Sequence, residues 1–213
     1  VAVCEQVEDP KKAKGLVKRD VTEVVTAGSS VSESLLEDKC NNYLASVVSV
    51  SDRMGLAWAD VSTGEFFVAE GPAIDIVREF RSIAPAEVIL PAEKGDSLKE
   101  SLQHLEGTVV SQVNDYYFSQ SYAEDGLKEH FGVITLRGLG LDNFPAAAAA
   151  SGAILLYLKE ELKRDCAQLR RLSLVPTGAG MLLDPATVRN LELFHSFSGK
   201  PEATLLHTLD RTS

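Results

Sequence analysis

Acidic residues are the first candidates for chemistry, because clustered carboxylates that hold two divalent cations can cleave phosphodiester bonds. Asp60 ends one strand-like run and Glu87 begins another, but the strand-like run 43–50 contains no acidic residue. These segments do not supply the cluster that two metal ions need. We therefore expect Asp60 to order the turn at 62–64, and a metal-dependent nuclease is the alternative hypothesis.

Other catalytic and cofactor-binding motifs are missing from the sequence. It contains no GxxxxGK[ST] or GxGxxG loop for a nucleotide and no GxSxG around a nucleophilic serine. The four histidines form no HExxH or HxH pair, and the three cysteines form no CxxC pair; they are His104, His130, His195, His207, Cys4, Cys40 and Cys166. The sequence thus predicts no catalytic residue, bound cofactor or metal site in this chain.

A basic stretch near the start of the chain could lie close to a nucleic-acid backbone. It places five cations in nine residues: Lys11, Lys12, Lys14, Lys18 and Arg19. Three acidic residues precede it, so a solvated charged face is the alternative interpretation. The formal net charge of −10 argues against strong DNA binding by the chain alone.

The middle of the chain has the pattern of an α/β domain. Three strand-like runs at 43–50, 55–61 and 65–70 are separated by short polar turns, which predicts an antiparallel triplet. Phe66 and Phe67 are neighbours and must face opposite sides of the sheet, so both faces should be covered.

Helices and strands then alternate along the chain. Helices are predicted at 72–85, 97–105 and 122–131, and strands at 87–91 and 108–113. The result is a three-layer α/β fold with a mixed sheet. An antiparallel triplet followed by alternating elements is the order of a ribonuclease H-like domain.

The strongest helix prediction covers residues 147–164. Pro145 suits its first turn, and Ile154, Leu155, Leu158 and Leu162 form an apolar stripe. Its length predicts a strut that leaves the α/β domain. The polar stretch Thr26-Ala27-Gly28-Ser29-Ser30 indicates a domain boundary, and Ala27–Ser30 within it is a candidate movable joint.

Composition places the chain among intracellular globular proteins. Its 213 residues suggest one or two domains, and 45% are hydrophobic. The sequence has neither an apolar run long enough to span a bilayer nor a secretory signal, and its scattered cysteines suit a reducing compartment. We therefore expect a cytoplasmic location.

Several segments together resemble the bacterial MutS mismatch repair family. "VAVCEQVEDPKKAKGLVKRDVTEVVTAGS" is similar to the end of its mismatch-binding domain. "NNYLASVV", "GLAWADVSTGEF" and "RSIAPAEVILP" resemble its connector domain. "MLLDPATVRNLELF" and "TLLHTLDRT" resemble the start of its core, or lever, domain.

The resemblance implies that the chain is a fragment, with domains at 1–28, 29–164 and 165–213. The middle domain would be a ribonuclease H-like connector that couples the mismatch-binding domain to the core and offers a docking surface to MutL, with Asp125 and Gly126 as candidate contacts. The intact protein would be a homodimeric ATPase that binds mismatched double-stranded DNA and uses ATP and Mg²⁺ outside this chain.

Overall fold

The computed structural model describes two compact units, Val1–Thr177 and Gly178–Ser213. The described residues are 1–6, 19–29, 41–102, 105, 107–178, 183, 185–194 and 196–210. None of the helices they form is long and apolar enough to cross a membrane.

The first unit begins with a two-stranded antiparallel hairpin. Its strands are β1 (Ala2–Gln6) and β2 (Arg19–Val24), paired so that Ala2 lies opposite Val24. The register shifts by a bulge after Val3. This hairpin is a separate sheet from the one that follows.

A six-stranded mixed sheet forms the centre of the first unit. Its strands are β3 (Tyr43–Val50), β4 (Arg53–Asp60), β5 (Glu65–Gly71), β6 (Glu87–Pro91), β7 (Val109–Val113) and β8 (Ser173–Leu174). The order is β7-β6-β3-β4-β5-β8. Strands β3 to β5 are antiparallel, whereas β6 pairs parallel with β3, β7 with β6, and β8 with β5. The predicted antiparallel triplet and its parallel neighbours are confirmed.

Four helices cover the two faces of this sheet. They are α1 (Ala73–Ile83), α2 (Gly95–Leu102), α3 (Gln120–Phe131) and α4 (Pro145–Leu156). Ile76 and Phe80 are the buried residues of α1, and the helix ends where Ala84 takes a left-handed conformation. Each predicted helix in 72–131 is present, with ends shifted by a few residues.

Hydrophobic side chains form one core on each face of the sheet. Phe66 belongs to the core under α3 and α4, whereas its neighbour Phe67 packs against the core under α1 and α2. Leu44 and Ala45 divide between the two cores in the same way. This alternation confirms that both sheet faces are covered.

The prediction that 147–164 forms a strut was wrong. Helix α4 ends at Leu156 and continues as a π-helical turn, Tyr157–Glu161, and residues 146–158 are buried within the unit. The cause is a helix surface that is small or apolar all round, which favours burial between other elements. The long Ala run reflects this packing as well as helix propensity.

Two glycines let α4 approach its neighbours. A Cβ on Gly152 would lie 2.5 Å from the Cα of Ala123 on α3, and one on Gly55 of β4 would lie 2.9 Å from the backbone N of Ala147. Both distances are shorter than real side chains allow. Helix α4 is therefore wedged between β4 and α3 by close backbone contact.

The described part of the second unit includes the short α-helices α5 (Pro185–Asn190) and α6 (Leu205–Leu209) and a 3-10 turn, Pro201–Ala203. The Thr204 side chain caps α6 by accepting a hydrogen bond of 3.2 Å from the His207 backbone N–H. Backbone N–H groups of α6 reach the turn after α5, with Leu205 donating to the Glu192 carbonyl at 3.0 Å.

Candidate functional site

Asp60 orders the turn after β4, as the sequence predicts. Its Oδ1 accepts hydrogen bonds from the backbone N–H and the hydroxyl of Ser62, at 2.8 and 2.6 Å, and from the Thr63 N–H at 3.3 Å. Its Oδ2 accepts from the Asn42 backbone N–H at 3.1 Å. Both carboxylate oxygens are thus engaged by the protein.

The structure gives the metal-dependent nuclease no support. Across the described part of the chain, no group of three or more His, Cys, Asp or Glu side chains is placed to hold a metal ion. Glu87, the other acidic candidate, is fully buried and accepts hydrogen bonds from other residues of this chain.

The Glu87 carboxylate accepts hydrogen bonds from three separate parts of the chain. Its Oε1 accepts hydrogen bonds from the hydroxyls of Tyr157 at 3.0 Å and Ser111 at 2.8 Å. Its Oε2 accepts from the Gly28 backbone N–H at 3.0 Å. Burial and the adjacent Glu87 charge raise the pKa of the Tyr157 phenol, which keeps it protonated and able to donate.

The turn at 27–29 is pinned against the sheet. A Cβ on Gly28 would lie 2.8 Å from the Glu87 Cβ and 3.0 Å from the Leu44 Cα, so glycine is needed for this approach. The Ala27 carbonyl accepts a hydrogen bond of 2.9 Å from the Asn42 side chain. This part of the expected movable joint at 27–30 is therefore held in place.

Arg164 makes further contacts with the hairpin and with the turn at 27–29. Its guanidinium lies 2.5 and 2.6 Å from the Glu23 carboxylate of β2 and donates to the Ser29 carbonyl. Only 9% of the Arg164 side chain is exposed. One arginine thus binds both the hairpin and the pinned turn.

Two neighbouring residues extend this contact along β2. The Val24 N–H donates to the Leu162 carbonyl at 3.1 Å, and the Lys163 ammonium donates to the Val21 carbonyl at 2.9 Å. Lys163 adopts a left-handed backbone conformation with a φ of 52°, which turns the chain after the π-helical turn. We call the contacts of Glu87, Leu162, Lys163 and Arg164 with residues 21–29 the clasp.

The two candidate docking residues lie on α3 but differ in environment. The Asp125 side chain is 79% exposed, and its carboxylate lies 3.8 Å from the Lys128 ammonium. Gly126 is half-buried and faces α4, since a Cβ there would lie 3.3 Å from the Leu156 Cδ2. Asp125 can reach a partner, whereas Gly126 has a packing role.

Most of the basic stretch lies outside the described residues. This holds for Lys11, Lys12, Lys14 and Lys18. Arg19 is exposed at the start of β2, opposite Gln6 in the hairpin register.

A tyrosine cluster beside α3 was missed by the sequence analysis. The Tyr116 and Tyr122 hydroxyls donate to the two oxygens of Glu160, at 2.9 and 3.0 Å, and the Tyr117 hydroxyl donates to Glu161 at 3.1 Å. Tyr116 and Tyr122 are 40% and 42% exposed. The acids are 38 to 44 residues away in sequence, so no local pattern signals these pairs.

Comparisons with known proteins match both parts of this arrangement. The family described as MutS domain II matches residues 42–172, and the family described as MutS domain I matches residues 1–34. The clasp therefore joins the part that matches domain I to the part that matches domain II.

Relatives extend the similarity over the whole chain. DNA mismatch repair protein MutS of Dehalococcoides mccartyi is 42% identical over 213 residues and that of Symbiobacterium thermophilum is 43% identical over 220 residues. The protein of the same name from Chlorobium phaeovibrioides is 39% identical over 218 residues. Each comparison covers all of this chain but only 24 to 25% of the relative. The match to MutS domain II covers more than half of this chain, and the chain therefore belongs to the MutS family.

Proposed function

We propose that this chain is the connector region of a DNA mismatch repair protein, which transmits movement between a mismatch-binding domain and the rest of that protein. The clasp is the observation that carries this proposal, because it fixes the part matching domain I to the part matching domain II. A region that transmits movement needs such rigid attachment. The domains proposed are 1–28, 29–164 and 165–213.

We also propose that the connector has a ribonuclease H-like fold. The sheet order β7-β6-β3-β4-β5, with an antiparallel triplet and parallel strands beside its first member, supports this assignment. The engagement of Asp60 in a turn supports a connector without nuclease chemistry.

The proposed activity of the intact protein follows from its relatives, which are named DNA mismatch repair proteins. It would be a cytoplasmic homodimer that binds mismatched double-stranded DNA and hydrolyses ATP with Mg²⁺ outside this chain. The connector itself would use no cofactor and catalyse no reaction. The basic stretch that ends at Arg19 would lie near the DNA backbone.

A docking surface for MutL is the second part of the proposal. The exposed Asp125 carboxylate and the half-exposed Tyr122 ring lie one turn apart on α3. Tyrosine side chains are enriched among the residues that contribute most to binding energy at interfaces. This face of α3 is therefore the surface that we propose for a protein partner.

Titration of the chain with purified bacterial MutL tests the docking surface. We expect saturable binding that Asp125→Arg weakens by roughly fivefold to a hundredfold, because charge reversal at an interface costs about 1–3 kcal/mol. Asp96→Arg is the matched control: it also reverses an exposed helical aspartate with a lysine three residues later, on α2, which packs on the other sheet face.

Two outcomes would count against the proposal. Equal weakening by both variants would show that only net charge matters, and the absence of saturable binding would remove the docking role. Mg²⁺- or Mn²⁺-dependent DNA cleavage that Asp60→Asn abolishes would instead favour the nuclease hypothesis.

A further inference from the structure

We infer that residues 157–164 form a coupling element that links the tyrosine cluster beside α3 to the hairpin, so that a change at one alters the stability of the other. The biological meaning of this inference rests on the proposed connector role, whereas its test needs only this chain. Three sets of contacts meet in these eight consecutive residues.

The first set fixes the turn at 27–29. Tyr157 donates to the Glu87 carboxylate, and the other oxygen of that carboxylate accepts from the Gly28 N–H. Glu87 is fully buried, so the loss of one donor cannot be replaced by water without opening the site. Tyr157 is thus one hydrogen-bonded step from the turn.

The second set faces the protein surface. Glu160 accepts hydrogen bonds from the exposed Tyr116 and Tyr122, and Glu161 accepts from the buried Tyr117. The rings of Tyr116 and Tyr122 also touch edge to face, with centroids 5.2 Å apart.

The third set holds the hairpin itself. Leu162, Lys163 and Arg164 bind the backbone or side chains of β2 and the Ser29 carbonyl. All three sets are contacts of residues 157–164, so no other helix or strand lies between them along the chain. A shift of the backbone at Glu160 therefore moves the hairpin contacts directly.

The hydrogen-bond pattern of the π-helical turn differs from that of an α-helix. The Leu162 N–H donates to the Tyr157 carbonyl at 3.1 Å, five residues back, where an α-helix would pair residues four apart. Conversion to an α-helix would rotate each later side chain by about 100° relative to the earlier ones. The three contact sets occur together in the π form, and we expect a one-residue change of register to break at least one of them.

Hydrogen exchange of the Val24 and Gly28 amides tests the inference. Both amides donate across the clasp, so their exchange reports its opening. The perturbation is the double variant Tyr116→Phe, Tyr122→Phe, which keeps both rings and removes the two hydroxyls bound to Glu160. We expect exchange at both amides to rise about fivefold, the effect of one average hydrogen bond.

Three controls make the result specific. Glu124→Gln perturbs a surface contact within α3 that does not involve residues 157–164, and it should leave both amides unchanged. Tyr157→Phe removes a hydrogen bond to the Glu87 carboxylate, which also binds the Gly28 N–H, and should speed exchange at Gly28. The Leu56 amide in the central sheet should stay protected in every variant.

Unchanged exchange in the double tyrosine variant, with faster exchange in Tyr157→Phe, would overturn the inference. Unchanged exchange at Gly28 in Tyr157→Phe would overturn it as well, because the first contact set would then not stabilise the turn at 27–29.

Deletion of Lys159 is a second perturbation. It favours an α-helical turn and should also speed exchange at Val24. Failure of MutL to bind would not affect any of these results.

Discussion

Substitution of Gly152 by alanine should improve helix propensity but disturb packing. Its effect on the free energy of unfolding shows which of the two is larger in α4. On propensity alone the change should stabilise the helix by about 1 kcal/mol, because glycine is the poorer helix former. In the structure, however, a Cβ at this position would lie 2.5 Å from the Ala123 Cα and 2.7 Å from the Ala123 carbonyl oxygen.

The steric cost should exceed the propensity gain. Non-bonded carbon atoms prefer separations of about 3.5–4.0 Å, so α3 and α4 would have to move apart by roughly 1 Å. Overpacking of this kind costs about 1–3 kcal/mol, and here the obstacle is backbone that cannot rotate away. The cost should therefore lie at the upper end, about 2–3 kcal/mol, and after the propensity gain of about 1 kcal/mol we expect Gly152→Ala to lower the free energy of unfolding by about 1–2 kcal/mol.

Urea denaturation followed by circular dichroism measures the change, with Gly126→Ala as the matched control. Gly126 lies in α3, and a Cβ there would meet only the flexible end of Leu156, at 3.3 Å. That variant should be neutral or up to about 1 kcal/mol more stable. The reasoning would be refuted if Gly152→Ala were also neutral or stabilising.

Two further predictions concern buried groups. The Glu70 carboxylate of β5 accepts a hydrogen bond of 2.9 Å from the Ala147 N–H in the first turn of α4, so Glu70→Ala should cost about 1–2 kcal/mol in urea denaturation. Glu70→Gln, which keeps an acceptor, should cost less, and equal losses would contradict a capping role. Burial raises the pKa of the Cys166 thiol to about 11, so the unfolded chain loses that proton first. Stability should therefore be complete below pH 9 and fall as the pH rises towards 11, and Cys166→Ala should flatten this fall. An identical pH profile for the variant would contradict the assignment.

Local sequence patterns predicted most of the sheet and its helices. The strands β3 to β6 follow from apolar runs between polar turns, and the end of α1 follows from Pro85. The turn at Asp60 was equally predictable, because the donors within the turn, Ser62 and Thr63, lie two and three residues after Asp60. What these features share is that all the information is close in sequence.

The clasp and the burial of α4 could not be predicted in this way. Glu87 and Gly28 are 59 residues apart, and Arg164 and Glu23 are 141 apart, so no spacing rule connects them. The strut prediction failed because it relied on helix length and one apolar stripe, whereas the whole surface of α4 is small or apolar and favours burial. Gly55 of β4 and Gly152 of α4 itself then permit the close backbone approach.

The clasp should make the hairpin and the six-stranded sheet move as one rigid body. Nitrogen-15 relaxation of backbone amides in solution measures this directly, because each amide reports the tumbling of the body that carries it. We predict the same rotational correlation time for β1 and β2 as for β3 to β6, and a shorter time for the hairpin alone in Arg164→Ala. A shorter hairpin correlation time in the unmodified protein would contradict the account.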